Sequence, residues 1–234
     1  MLKFGLVGKS IGYSYSNNLF FEVFADDPNL DYLIYDTDKI EKSKLLKFNG
    51  LNVTTPYKKV IINYLDEIDE LANEIQSVNC LKIENQKIKG YNTDYYGFSK
   101  SLETFPNIKT MLLLGNGGVS STIEKYCKDH NINLTICARR TSKSKFDICY
   151  EDLEDLNFDC IVNATKFGVL PPIKYENIPT GILLFDLCYS FIPNEPTDFI
   201  YECIKYGNNK NTCLDGSTML YNQAIQSYKI WGLI

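Results

Sequence analysis

Arg139 and Arg140 are the only arginines in the chain, and they stand side by side after an apolar run, Leu134-Thr-Ile-Cys-Ala138. Upstream, a second apolar run, Met111-Leu-Leu-Leu114, passes into Gly115-Asn116-Gly117-Gly118-Val119-Ser120. Strand, glycine turn, helix, strand and then a basic pair is the order in which a dinucleotide site is assembled. The glycines let the backbone approach a pyrophosphate, which rests on a helix N-terminus. A carboxylate after the second strand would suit the free ribose hydroxyl of NAD. A guanidinium suits a 2′-phosphate instead, because its planar fork makes two charge-assisted bonds to phosphate. These residues therefore predict an NADP site. The competing reading of the arginine pair is a solvated basic turn, which the preceding glycine loop disfavours.

Such a site needs a parallel sheet to hold it. Residues 111–114, 134–138, 158–162 and 182–187 read as its strands, within a nucleotide segment running from about residue 108 to about residue 214. The first hundred residues alternate as well. Strands are predicted over 3–7, 32–35 and 50–54, and helical faces over 18–24 and 40–48. Pro56 fits the first turn of a further helix carrying Val60, Ile61 and Tyr64 on one side. Residues 81–83 and 88–91 read as a hairpin around Asn85-Gln86, 95–105 as a connecting helix and 218–231 as a final helix. Strands alternating with helices predict an α/β fold with mainly parallel sheets.

Bulk properties narrow the partners. A net charge of −5 gives no reason to expect nucleic acid, although Arg139 to Lys145 is locally basic. The eight cysteines are scattered without a Cys-x-x-Cys pair, and the single histidine, His130, has no neighbours suited to a metal, so no metal is expected. Several cysteines lie inside apolar runs, as in proteins of a reducing cytosol. No stretch reads as a signal peptide or membrane span, and the expected location is cytoplasmic.

Motifs in order along nearly the whole chain carry a resemblance. They are Ser14-Tyr-Ser16, Gly50-Leu-Asn-Val-Thr-Thr-Pro-Tyr-Lys58, Gly90-Tyr-Asn-Thr-Asp94-Tyr-Tyr-Gly97, the glycine loop from Gly115, Val162-Asn-Ala-Thr165, Asp186-Leu-Cys-Tyr189-Ser-Phe-Ile-Pro193 and Gly216-Ser-Thr-Met-Leu-Tyr-Asn-Gln223. Together they resemble the shikimate dehydrogenases. The resemblance implies reversible reduction of 3-dehydroshikimate to shikimate by NADPH, a step of chorismate and aromatic amino-acid biosynthesis. It also implies two domains: a substrate domain over 1–100, completed by the helix over 216–234, and a Rossmann-like NADP domain over 101–215, with the active site in the cleft between them. The expected protein acts on a small molecule as a monomer or homodimer. Gly12, Tyr13, Asn17, Cys80, Ala138, Arg140 and Lys166 depart from the usual family pattern.

Oxidising a secondary alcohol moves a hydride from carbon and a proton from oxygen, and the proton needs a positioned acid or base. His130, in a helix-to-strand turn of the nucleotide segment, reads as a surface residue. The resemblance instead assigns the proton to Lys58, with Asp94 holding the lysine and a substrate hydroxyl. A lysine can exchange its proton where a cleft desolvates the ammonium, and a nearby carboxylate opposes that effect, so the two form one coupled unit. Alone, Lys58 would read as a solvated lysine and Asp94 as a helix cap. By the same resemblance Ser14 and Ser16 hold the substrate carboxylate, Asn79, Asp94 and Gln223 face its hydroxyls, and Asn52, Thr54 and Tyr189 complete the substrate set. Asn116, Gly117, Gly118 and Val119, after Gly115, present backbone to the pyrophosphate. Arg139 meets the 2′-phosphate with Arg140 and Thr141 nearby, and Thr165 and Gly216 join the cofactor set. The closest alternatives are a quinate/shikimate dehydrogenase with broader cofactor use and a non-catalytic NADP sensor of the same fold. Arg139→Ala is expected to raise the Kd for NADP far more than that for NAD, read by titration with each nucleotide; equal weakening would remove Arg139 from 2′-phosphate recognition.

Overall fold

Short β-branched and aromatic runs separated by helical turns give two six-stranded sheets in the computed structural model. The structure describes residues 1–12, 14–25, 27–141, 145–190, 192, 195–207 and 210–234, and counts of elements are made among them. Tyr13, Lys143, Phe191 and Pro193 of the segments singled out above lie outside the described residues. Contacts divide the chain into two units, Met1–Phe98 with Tyr221–Ile234, and Ser99–Leu220.

The first unit holds β1 (Leu2–Gly8), β2 (Leu30–Asp36), β3 (Gly50–Val53), β4 (Glu67–Ile68), β5 (Cys80–Glu84) and β6 (Lys87–Tyr91), in the order β2-β1-β3-β5-β6-β4. β1 runs parallel to β2 and β3, and β4 parallel to β6, whereas β5 is antiparallel to both of its neighbours. The helix α1 (Ser16–Phe24) makes the crossover from β1 to β2 that parallel pairing requires. All four residues of β3 are buried, and Leu51 and Val53 join Val7, Leu45, Ile61, Val78, Leu81 and Ile88 in the core. The β5–β6 hairpin turns through Asn85 and Gln86, at φ values of 51° and 61°. Positive φ at both central residues matches the strand twist, and asparagine reaches it more easily than glutamine does.

Three local expectations change. The helix over 40–48 shrinks to one turn, α2 (Lys42–Leu45). Pro56 does not open an α-helix: it follows a cis peptide with Thr55, and the helical segment after it is a 3₁₀ stretch, Val60–Tyr64. β4 and α3 (Glu70–Ile75) are additional elements. α3 starts at Asp69, whose carboxylate accepts from Leu71 N at 3.2 Å, but six residues are too few to show a helical period.

Two further helices span the unit boundary along the chain, α4 (Asp94–Leu102) and α7 (Ser217–Trp231). In the second unit lie β7 (Thr110–Leu114), β8 (Asn133–Ala138), β9 (Ile148–Cys149), β10 (Cys160–Asn163), β11 (Leu183–Asp186) and β12 (Thr212–Leu214), with helices α5 (Ser120–Asp129) and α6 (Asp198–Lys205). Their order is β12-β11-β10-β7-β8-β9, and every pairing is parallel. The chain winds outward from β7 to β9, then returns to the other side of β7, so the order reverses between β7 and β10. That reversal opens a crevice at the carboxyl ends of those strands. Asp159 secures the start of β7, accepting from the backbone of Lys109 and Thr110 at 2.8 Å each; these bonds hold its carboxyl below the usual range. Among the described residues no helix is long and apolar enough to cross a membrane.

The end of α7 is locked into the first unit. Trp231 Nε1 donates to Leu81 O at 2.9 Å, and its indole stacks on Phe4 with centroids 4.9 Å apart. Gly50 makes room for that indole, since a Cβ there would lie 2.4 Å from Trp231 Nε1. Gly50→Ala is expected to lower the unfolding free energy by about 1–3 kcal/mol through overpacking, measured by urea denaturation.

Candidate active site

Lys58 sits in the turn after β3, and two anchors hold that turn. The buried Tyr57 ring donates its hydroxyl to Thr37 O at 2.7 Å, and Lys58 O accepts from Val78 N at 2.8 Å. Lys58 Nζ thereby lies 2.7 Å from Asp94 Oδ2, with the two side chains 16% and 8% exposed. Asp94 is the first residue of α4, where the positive end of the helix dipole favours a carboxylate. Tyr95 N is capped by Asn92 Oδ1 at 3.0 Å, so the capping role considered for Asp94 is filled by Asn92 and its carboxylate is used elsewhere.

That carboxylate takes a second bond from Asn79 Nδ2, at 2.9 Å to Oδ1. Asn79, just before β5, also receives Thr93 N on its Oδ1 at 2.6 Å. Gln223, on α7, turns its Oε1 toward Asn79 Nδ2 at 3.5 Å and Thr93 Oγ1 at 3.4 Å. Asn52, buried on β3, donates both amide hydrogens, to Ser227 Oγ at 2.8 Å and Asn79 O at 3.4 Å, and accepts from Tyr32 at 3.3 Å. Burial pushes the Tyr32 phenol well above its ordinary range, which keeps it a donor. Lys58, Asp94, Asn79, Gln223 and Asn52 therefore form one hydrogen-bonded group within the first unit. The half-buried ammonium is thereby fixed against a nearly buried carboxylate.

Ser14 and Ser16 form a half-buried pair at the start of α1, with Ser14 Oγ donating to Ser16 Oγ at 3.1 Å and Ser16 beside the Tyr32 hydroxyl. Thr54 closes β3, its N bonded to Val7 O at 2.9 Å. His130 ends α5, its ring stacked on Tyr126 with centroids 4.0 Å apart. Sequence reasoning did not single out Tyr32, Asn92, Thr93 or Ser227. Asn92 and Thr93 lie inside the quoted Gly90-to-Gly97 segment, and Ser227 carries one signal, its position one helical turn after Gln223.

In the second unit the glycine loop leaves β7 at the reversal of strand order. Gly115 has φ +102°, and a Cβ there would come within 3.1 Å of Ala164 O, just past β10. A side chain there would be strained by the first and crowded by the second. Asn116 donates to Lys145 O at 3.3 Å, and Ser120 Oγ to Gly117 O at 2.8 Å. Val119, at the N-cap of α5, makes no side-chain capping bond; Ser120 N donates to Gly117 O at 3.2 Å and Thr122 N to Val119 O at 3.0 Å, so an anion here meets the positive end of the helix dipole.

Arg139 follows β8 exposed and, among the described residues, forms no ion pair. Arg140 pairs with Asp152 at 2.7 Å, and Thr141 follows it at the surface. Thr165 N meets Asn163 Oδ1 at 3.1 Å. Gly216 N donates to Cys188 O at 2.8 Å, beside half-buried Tyr189, and a Cβ on Gly216 would collide with Leu187 O at 2.2 Å. The glycine exit, the uncapped helix start and the exposed guanidinium fit the phosphates of NADP. When bound, NADP supplies the hydride acceptor for alcohol oxidation.

A family model described as the shikimate dehydrogenase substrate binding domain matches residues 6–81. The shikimate dehydrogenase (NADP(+)) of Methanococcus maripaludis is 37% identical, over 97% of this chain and 90% of its own length. That of Clostridium beijerinckii is 32% identical, over 97% and 91%. The chain belongs to the shikimate dehydrogenase family. The crystal structure of shikimate dehydrogenase 1 from Peptoclostridium difficile agrees in fold, with a TM-score of 0.82 at 32% identity over 99% of this chain and 92% of that one.

Within this family setting, Lys58→Ala is expected to cut turnover of shikimate by about two to four orders of magnitude. The Kd for NADP, measured by fluorescence titration, should stay nearly unchanged; near-normal turnover would remove Lys58 from the proton step.

Proposed function

We infer that this chain is an NADP-dependent shikimate dehydrogenase, interconverting shikimate and 3-dehydroshikimate in chorismate and aromatic amino-acid biosynthesis. The observation that carries the reading is the Lys58–Asp94 pair, 2.7 Å apart and largely withdrawn from solvent, in a chain of this family. In the oxidation direction the substrate hydroxyl gives its proton to Lys58 Nζ, which accepts it as the neutral amine and becomes the ammonium, as hydride leaves the carbon that bears the hydroxyl. In reduction the Lys58 ammonium returns a proton to the ketone oxygen. Asp94 holds the lysine in line and accepts from a neighbouring substrate hydroxyl. Asn79 keeps the Asp94 carboxylate in place, and Gln223 faces the remaining hydroxyls.

Ser14 and Ser16 bind the substrate carboxylate through their hydroxyls, and Asn52 supports Asn79. Thr54 and Tyr189 complete the substrate contacts. Residues 1–100 with 216–234 thus act on substrate, and 101–215 hold NADP. There Asn116 to Val119 face the pyrophosphate, and Thr165 and Gly216 bound the site. Arg139 takes the 2′-phosphate. Arg140 stands beside it, already paired to Asp152. All eight cysteines are free thiols, which suits action in a reducing cytoplasm.

The test follows NADPH absorbance after mixing the purified chain with shikimate or quinate and NADP or NAD. Rapid reduction with shikimate and NADP is expected, and weak or no signal with quinate or NAD. Silence with all four combinations, despite measurable NADP binding, would overturn the assignment.

A further inference from the structure

Ser227 is fully buried on α7, beside the buried Cys80 thiol and within reach of three oxygen and nitrogen partners. Its Oγ donates to Gln223 O at 3.0 Å, accepts from Asn52 Nδ2 at 2.8 Å and lies 3.2 Å from Thr93 Oγ1. A hydroxyl has one hydrogen and two lone pairs. With the hydrogen given to the helix carbonyl, the lone pairs face Asn52 and Thr93. Thr93 Oγ1 accepts from Asn79 Nδ2 at 3.0 Å, and for its one hydrogen two acceptors besides Ser227 are in reach, Asn79 Oδ1 at 3.3 Å and Gln223 Oε1 at 3.4 Å. Ser227 offers the shortest of the three contacts. It thereby governs how strongly Thr93 competes for the two amides beside Asp94.

We propose that Ser227 is a positioning residue for the reaction: its buried hydroxyl fixes Asn52 and Thr93 and so sets the orientation in which the Gln223 amide meets substrate. The inference rests on the function proposed above. Removing the hydroxyl leaves Asn52 Nδ2 with only its 3.4 Å bond to Asn79 O and turns the Thr93 hydrogen toward Asn79 or Gln223. None of these groups is Lys58, whose ammonium donates to Asp94 Oδ2, while Asn79 reaches the other oxygen. The expected damage is to substrate binding, with the proton step spared.

Steady-state kinetics on the full chain separate these effects. Ser227→Ala should raise the KM for shikimate by about ten-fold, the consequence of an unmade buried hydrogen bond. kcat should change by less than about three-fold, and the KM for NADP should not move. In a Gln223→Ala background the same substitution should have little further effect on the shikimate KM, because Ser227 acts through that amide. A wild-type shikimate KM in Ser227→Ala would overturn the proposal, as would an undiminished effect in the double variant. If Ser227→Ala does not fold, Thr93→Val removes the partner hydroxyl at nearly constant shape. The same KM rise is expected from it, and an unchanged KM counts against Ser227. Wild-type protein that neither oxidises nor binds shikimate would overturn the proposed function and this role together. A wild type that turns over normally beside an insensitive variant would remove only the role of Ser227.

Discussion

A carboxylate taken out of water must find its hydrogen bonds within the protein, and Asp94, 6% exposed, is under that constraint. Lys58 satisfies one oxygen and Asn79 the other. Those bonds tie together three places far apart in sequence: the turn after β3, the approach to β5 and the start of α4. Each place is then held by its own anchors, Tyr57 for the turn, Thr93 N for Asn79 and the Asn92 cap for α4. The position of the lysine follows from the needs of the acid beside it. A chain that kept Lys58 but lost Asn79 would leave one carboxylate oxygen without its donor.

The two units prepare their chemistry by different means. The first uses side chains, packed so closely that hydroxyl and amide groups compete for hydrogens. The second uses backbone: the strand order reverses beside β7, Gly115 takes a conformation that side chains strain, and no side chain caps the start of α5. Side-chain sites of the first kind distinguish one polar small molecule from another, because a wrong hydroxyl leaves a buried partner unmet. Backbone sites of the second kind accept phosphate wherever the chain direction allows it.

Much of this was legible in the residues. The apolar runs at β1, β2, β3, β7 and β8 are long enough to declare themselves, and the glycine turn marks where β7 ends. β4 and β9 have two residues each and α3 six, lengths at which neither period can be read. Pro56 misled because proline suits both a helical first turn and a tight turn, and only the surrounding packing decides between them. Within the site, Lys58 and Asp94 stand in recognisable segments. Tyr32 and Ser227 do not, because a buried hydroxyl is marked by its partner, and the partner Asn52 lies 175 residues from Ser227.

That separation bears on synthesis. The Asn52–Ser227 bond and the Trp231–Leu81 bond, across 150 residues, can close only after the whole second unit has left the ribosome. The second unit, Ser99–Leu220, is one uninterrupted stretch and can fold as it emerges. The first is made in two instalments, and until the second arrives Phe4 has no indole over it and Asn52 no serine. Loop-closure entropy then adds to the barrier, since these contacts are the most distant in the chain that the site uses. Packing of the first unit is therefore completed only by residues made after the whole of the second.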